Sequence, residues 1–175
     1  MDKIFNNIIK DCSDFLINSQ GHPLYKYLET DVQFGKVKVR LKKTNEPIID
    51  DSFNSVFKFD NLRQRAVFSS PITTSENDYY IFPKDNYRIL YCDQVSNSTE
   101  DNKKILTTFI ENLEDDLALE TFNAVLKYTY KSDTILSGLS KGAEIIIYNI
   151  PYYYIISVKY IKYNILYKRL INGCI

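Results

Sequence analysis

The sequence predicts a single-domain α+β protein with a mixed or antiparallel sheet, and three observations carry that prediction. Apolar residues recur at spacings of three and four near the N-terminus and again around residues 100–130, which is the period of an amphipathic helix. Short aromatic and β-branched runs, punctuated by Pro, Gly, Asn and Asp, read as strands. Helices and strands follow one another without regular βαβ alternation, which argues against a parallel α/β sheet. The chain of 175 residues has 45% hydrophobic content, so one core can form without metals or disulfides.

Taken in order, Ile4, Phe5, Ile8, Ile9, Cys12, Phe15 and Leu16 predict a helix over residues 2–18, ended by Gly21 and Pro23. A sheet core with inserted helices follows over residues 24–158. It opens with an extended stretch at 24–28. Val37, Val39 and Leu41 then alternate with Lys38, Arg40 and Lys42, the pattern of a half-buried strand with one cationic face. The run from Thr44 to Pro47 reads as a turn, and residues 52–59 as a short helix with Phe53, Val56 and Phe57 inward. Three strand-like pieces at 65–70, 78–82 and 87–91 are expected at the centre of the sheet. Ser98-Thr99-Glu100-Asp101 offers a capping box before one or two helices, Asn97-Ser98-Thr99 reads as part of that cap, and 137–142 as a flexible entry into a strand. Pro151 separates strands 143–149 and 152–158, read as a hairpin. Residues 159–175 are basic and aromatic, with Ile161, Ile165, Leu166 and Leu170 at the spacing of a docked terminal helix.

Composition excludes several function classes. Twenty-two Lys plus Arg balance 22 Asp plus Glu, so no global charge favours a nucleic-acid partner. The terminal segment, with Lys159, Lys162, Lys168 and Arg169 among tyrosines, is the one local case for single-strand binding, and a docked helix explains the same residues better. Cys12, Cys92 and Cys174 have no CxxC spacing, so neither a disulfide framework nor a zinc site is indicated. Neither a signal peptide nor a spanning apolar run is visible, and the protein is expected to be soluble. Phosphate-loop, dinucleotide-fingerprint, nucleophile-elbow and zinc-protease motifs are missing. The single histidine, His22, lies in a turn between Gly21 and Pro23, and Cys12 sits on an apolar helix face, so a Cys–His nucleophile pair is discounted.

Three separated segments carry a more specific signal. They are Cys12-Ser13-Asp14-Phe15-Leu16 with Gly21-His22-Pro23-Leu24-Tyr25-Lys26; Arg63-Gln64-Arg65-Ala66-Val67-Phe68-Ser69-Ser70 running into Tyr80-Ile81-Phe82-Pro83; and Ser140-Lys141-Gly142-Ala143-Glu144-Ile145-Ile146-Ile147 leading to Tyr152-Tyr153-Tyr154. Across residues 12–158 this order resembles a family of small tailed-bacteriophage proteins with a PLYRG-like start, an RxxxVF strand, an IFP strand and an EIMI strand before a tyrosine pair. It also resembles the NAD-binding half-barrel of mono-ADP-ribosyltransferases, which present an Arg on an early strand, a Ser-Thr-Ser strand and a Glu opening a late strand.

That resemblance implies NAD as substrate and no metal. It implies an enzyme that transfers ADP-ribose from NAD to a host macromolecule or hydrolyses NAD, with Glu144 as the catalytic carboxylate stabilising an oxocarbenium-like ribose as nicotinamide departs. Lys26 matches the cation that holds the diphosphate and Ser69 and Ser70 the hydroxyls bracing the ribose, with Arg63 and Arg65 as two further cations beside the site that compensate for a lysine at 26, Arg65 being the candidate cofactor contact. A host or phage protein is the implied partner, and the host cytoplasm or the virion the implied location. Two departures stand out. Lys26 is a point charge where the family has a planar guanidinium, and Gly142 stands where an arginine-modifying member has a second carboxylate. The same residues also have structural readings: Glu144 as a solvated strand end, Ser69 and Ser70 as a strand terminus before Pro71, Lys26 as an exposed strand lysine, and Arg63 and Arg65 as a solvent face. A non-catalytic interaction protein that retains the fold is the alternative function.

Overall fold

The N-terminal apolar stripe folds as two helices, α1 (Asp2–Asp11) and α2 (Ser13–Asn18), rather than as the one helix its periodicity predicts. The interruption comes from a tertiary partner. The Asp85 carboxylate accepts from Ser13 Oγ and from the Asp14 N–H, both at 2.8 Å, and the Asp85 N–H donates to Asp11 O at 2.7 Å. Satisfying the Asp14 N–H and the Ser13 hydroxyl at the start of α2 in this way opens the chain at Cys12. The stripe survives the break, since Phe5, Ile8, Cys12, Phe15 and Leu16 are all buried.

This computed structural model describes residues 2–43, 45–94 and 97–172. Thr44 of the expected turn and Cys174 lie outside the described residues. Those described form one α+β domain with seven α-helices and two antiparallel sheets, neither closed into a barrel. The four-stranded sheet runs β1 (Tyr25–Tyr27), β4 (Asp78–Pro83), β7 (Tyr152–Ser157), β2 (Phe34–Lys38). The three-stranded sheet runs β3 (Val67–Ser69), β6 (Glu144–Tyr148), β5 (Arg88–Cys92). Tyr25 and Ser70 exchange backbone hydrogen bonds of 2.7 and 2.9 Å, which seam β1 to the end of β3 and join the two sheets.

Several expectations are corrected by this topology. The pieces expected together at one sheet centre are divided: β4 is interior to the larger sheet, while β3 and β5 are the edges of the smaller one. Arg63–Arg65 is a 3-10 turn, so β3 begins at Val67. Strands β6 and β7 are not a hairpin, because each already has a neighbour on both sides in its own sheet. Left-handed Asn149 (φ 64°), Ile150 and Pro151 instead carry the chain from one sheet to the other. Strand β2 starts at Phe34 and takes in only Val37 and Lys38 of the alternating run, beyond which Val39 N–H bonds Pro151 O at 2.9 Å.

Helix α3 (Pro47–Phe57) starts five residues before the expected 52–59 helix, because Pro47 is preorganised for a first helical turn. The two helices α4 (Ser98–Asn112) and α5 (Asp115–Thr129) follow, and the cap of α4 is Asn97, one residue ahead of the expected box, accepting from Thr99 N and Glu100 N. The expected flexible entry is instead a short helix, α6 (Ile135–Ser140), capped by Thr134. Helix α7 (Tyr163–Asn172) docks as the sequence suggests: Leu166 and Leu170 are fully buried, although Ile165 faces outward. No helix among the described residues is long and apolar enough to cross a membrane.

Two apolar cores result. Helices α1, α2 and α7 cover one around Phe15, Ile81 and Tyr154, and α3, α4 and α5 cover the other around Phe53, Leu90 and Phe122. Strand β6 serves both, sending Ile145 and Ile147 to the first and Ile146 and Tyr148 to the second.

Candidate functional site at the seam of the two sheets

Three of the motif segments meet at the seam. Lys26 is the middle residue of β1, Ser69 ends β3 with Ser70 forming the seam bridge, and Glu144 opens β6 opposite Cys92 of β5. Strand β3 pairs with β6 in the register Ser69↔Ile145, so the serine pair and Glu144 lie on adjacent chain ends.

Each side chain already has an internal partner. Lys26 Nζ donates to Phe68 O at 2.9 Å, Ser69 Oγ donates to Ile145 O at 2.8 Å, and Ser70 Oγ accepts the Ile72 N–H at 3.1 Å. The Glu144 carboxylate accepts the Ser98 N–H at 2.9 Å through Oε2, which ties the carboxylate to the first turn of α4 and places it in the positive field of that helix end. Its Oε1 has no hydrogen-bond partner among the described residues.

Lys26 is not the exposed strand lysine of the structural reading. Desolvation pulls its ammonium down to about 8, Lys42 adds to the effect, and the Glu144 charge opposes it. Lys42 is brought near by a backbone bond from its N–H to Gln64 O at 3.0 Å. A cleft of about 240 Å³ opens here between the two sheets. Four cations line it, Lys26, Lys38, Arg40 and Lys42, over apolar walls that include Val37, Val67 and Tyr153, and no acidic side chain is among its lining residues. Such a wall favours an anion with several oxygens. The last three cations were legible in the sequence only as a polar strand face. Their convergence on Lys26 comes from the way the chain leaves β2 and turns back toward the 3-10 turn.

The two arginines separate. Arg65 is exposed on the 3-10 turn, whereas Arg63 is 6% exposed and lies in the second core, not on a solvent face. Its guanidinium donates to Asp50 Oδ1 at 2.8 Å and Thr99 Oγ1 at 2.7 Å, and lies over the Phe53 and Phe68 rings. Arg63 thus pins the first turn of α4, whose Ser98 N–H in turn holds Glu144. His22 is exposed, while Cys12 is buried, its S–H directed at Phe82 O and its thiol pushed up by burial. Among the described residues no three His, Cys, Asp or Glu side chains are grouped to hold a metal ion. A larger cavity, about 680 Å³, lies elsewhere and shares no lining residue with the basic cleft.

No protein-family model matches the chain, and neither the curated proteins nor the solved structures provide a match.

Proposed function

We propose that the protein is an ADP-ribosyltransferase-like, NAD-binding protein of phage type that passes ADP-ribose from NAD to a host macromolecule, with Glu144 as its electrostatic centre. The observation that carries this reading is the convergence of three motifs far apart in sequence, the Lys26, Ser69–Ser70 and Glu144 strands, at one seam beside a cleft lined by four cations. In the proposed reaction the bond between nicotinamide nitrogen and ribose C1′ breaks and its electron pair leaves with nicotinamide. An acceptor lone pair then bonds C1′, and the acceptor's proton passes to solvent. The Glu144 carboxylate stabilises the positive charge that develops on the ribose, and the Lys26 side of the cleft holds the diphosphate. The place of action in this reading is the host cytoplasm, or the virion for a packaged copy.

The test uses labelled NAD with a bacterial lysate, following protein-bound label and released nicotinamide. Glu144→Gln is the informative variant, because its amide oxygen can still accept the Ser98 N–H while the charge is gone. Turnover should fall on the order of a hundredfold or more. Unchanged turnover in this variant overturns the role of Glu144.

A second reading, a non-catalytic interaction protein such as a host-takeover or anti-defence factor or a minor virion component, is favoured by one observation: Lys26, Ser69 and Glu144 are all engaged in hydrogen bonds within the chain. Silence of the folded wild type in the same assay selects it.

A further inference from the structure

The larger cavity lies along the outer edge of β5, remote in composition from the basic cleft. Strand β5 pairs with β6 on one side only. On its other edge Tyr91 N–H donates to Lys131 O at 3.0 Å and Lys131 N–H donates to Tyr91 O at 2.9 Å. That single bridge begins an eighth strand which the chain does not continue, because residues 132–134 turn away to cap α6.

In an antiparallel strand, residues two apart present their N–H and C=O to the same edge. The N–H and C=O of Ile89 therefore face this edge as Tyr91's do, and no residue described makes a backbone hydrogen bond to them there. The space beside them is the cavity of about 680 Å³, within the range of roughly 300–1,000 Å³ that suits ligand binding. Its apolar lining includes Ile17, 64% exposed, on α2 and Leu136 on α6. The carboxylates of Asp14 and Asp133 flank these apolar groups, and the one cation lining the cavity, Arg88, lies opposite Tyr148 in the β5–β6 register.

We propose that this edge binds an extended segment of a partner protein, in which apolar and basic residues alternate, as an added strand beside Ile89. Backbone groups of the guest complete the ladder that Lys131 starts. Alternate guest side chains then meet the apolar patch of Ile17 and Leu136 or the carboxylates of Asp14 and Asp133. The proposal is independent of any NAD chemistry, and its test does not read turnover.

A fluorescein-labelled synthetic peptide of alternating Val and Lys, titrated into the full chain, should bind and slow the amide exchange of Ile89. An alternating Val and Glu peptide should bind about tenfold more weakly or worse. Ile17→Lys alters an exposed position without disturbing the core, and it should weaken the Val–Lys peptide on the order of tenfold. Equal binding of both peptides, unchanged exchange at Ile89, or indifference to Ile17→Lys overturns the proposal. A concentration-dependent dimer that protects Ile89 and excludes the peptide also overturns it, since the edge would then serve a second copy of the chain.

Discussion

Lys26 sits in an environment that its sequence neighbours do not announce. Its folded-state value of about 8 lies below the ordinary lysine value of 10.5, so between these two values the unfolded chain holds a proton that the folded chain has released. Stability contributed at this site therefore increases as pH rises through that window and is lost as pH falls through about 8. Lys26→Met should stabilise the fold at pH 7 by about 1–2 kcal/mol, read as a higher thermal midpoint, and the advantage should vanish near pH 10.5. The same depression makes anion binding detectable. In weakly buffered solution near pH 8, inorganic pyrophosphate entering the cleft should be accompanied by proton uptake, and Lys26→Met should abolish that uptake. Glu144 shows why the choice of substitution matters. Alanine there removes both a charge and the acceptor of the Ser98 N–H, at a cost of about 1 kcal/mol to the start of α4, whereas glutamine removes the charge alone.

Among the elements, α6 displays a contest between propensity and packing. Gly138 is buried in this short helix, where alanine would be the better helix former by about 1 kcal/mol. A Cβ at this position would stand 3.0 Å from Tyr91 Cγ and 3.3 Å from Ile145 Cδ1. Overpacking of that kind costs roughly 1–3 kcal/mol, so Gly138→Ala should lower stability in urea denaturation despite its favourable propensity. An increase in stability would show that Tyr91 can move aside. The break between α1 and α2 follows similar logic, since Asp85 supplies a cap that the helical stripe itself does not announce.

At the scale of the whole molecule, the two cores are coupled by shared strands, β6 at the centre of the smaller sheet and β5 beside it. Because β6 places Ile145 and Ile147 in one core and Ile146 and Tyr148 in the other, neither core can melt while that strand stays ordered. Denaturation followed by far-ultraviolet circular dichroism and by tyrosine fluorescence should give coincident transitions. Ile146→Ala should cost roughly 2–5 kcal/mol and lower both signals together. Two separated transitions would show instead that the cores unfold independently. The buried Arg63–Asp50 pair adds a further constraint, because removing either partner leaves the other charge in the core beside Phe53.

Apart from α6 and the 3-10 turn at Arg63–Arg65, the sequence by itself determined the element types. Periods of 3.6 and 2 are local consequences of backbone geometry, so the N-terminal stripe, the paired helices α4 and α5, the docked α7 and the strands around Phe68, Ile81, Leu90, Ile146 and Ile155 were all legible. Only the tertiary structure decided which strands pair. A strand buried on both faces reads the same whichever neighbour it takes, and this is why β6 and β7 looked like a hairpin but entered different sheets. The cluster of cations at the seam was likewise invisible locally. Lys38, Arg40 and Lys42 follow one another along the chain, but they reach Lys26 because long-range backbone bonds, Val39 N–H to Pro151 O and Lys42 N–H to Gln64 O, turn this run toward β3 while the Tyr25–Ser70 seam brings β1 to the same place. Long-range pairing decides where charges meet, and no spacing within a short window encodes it.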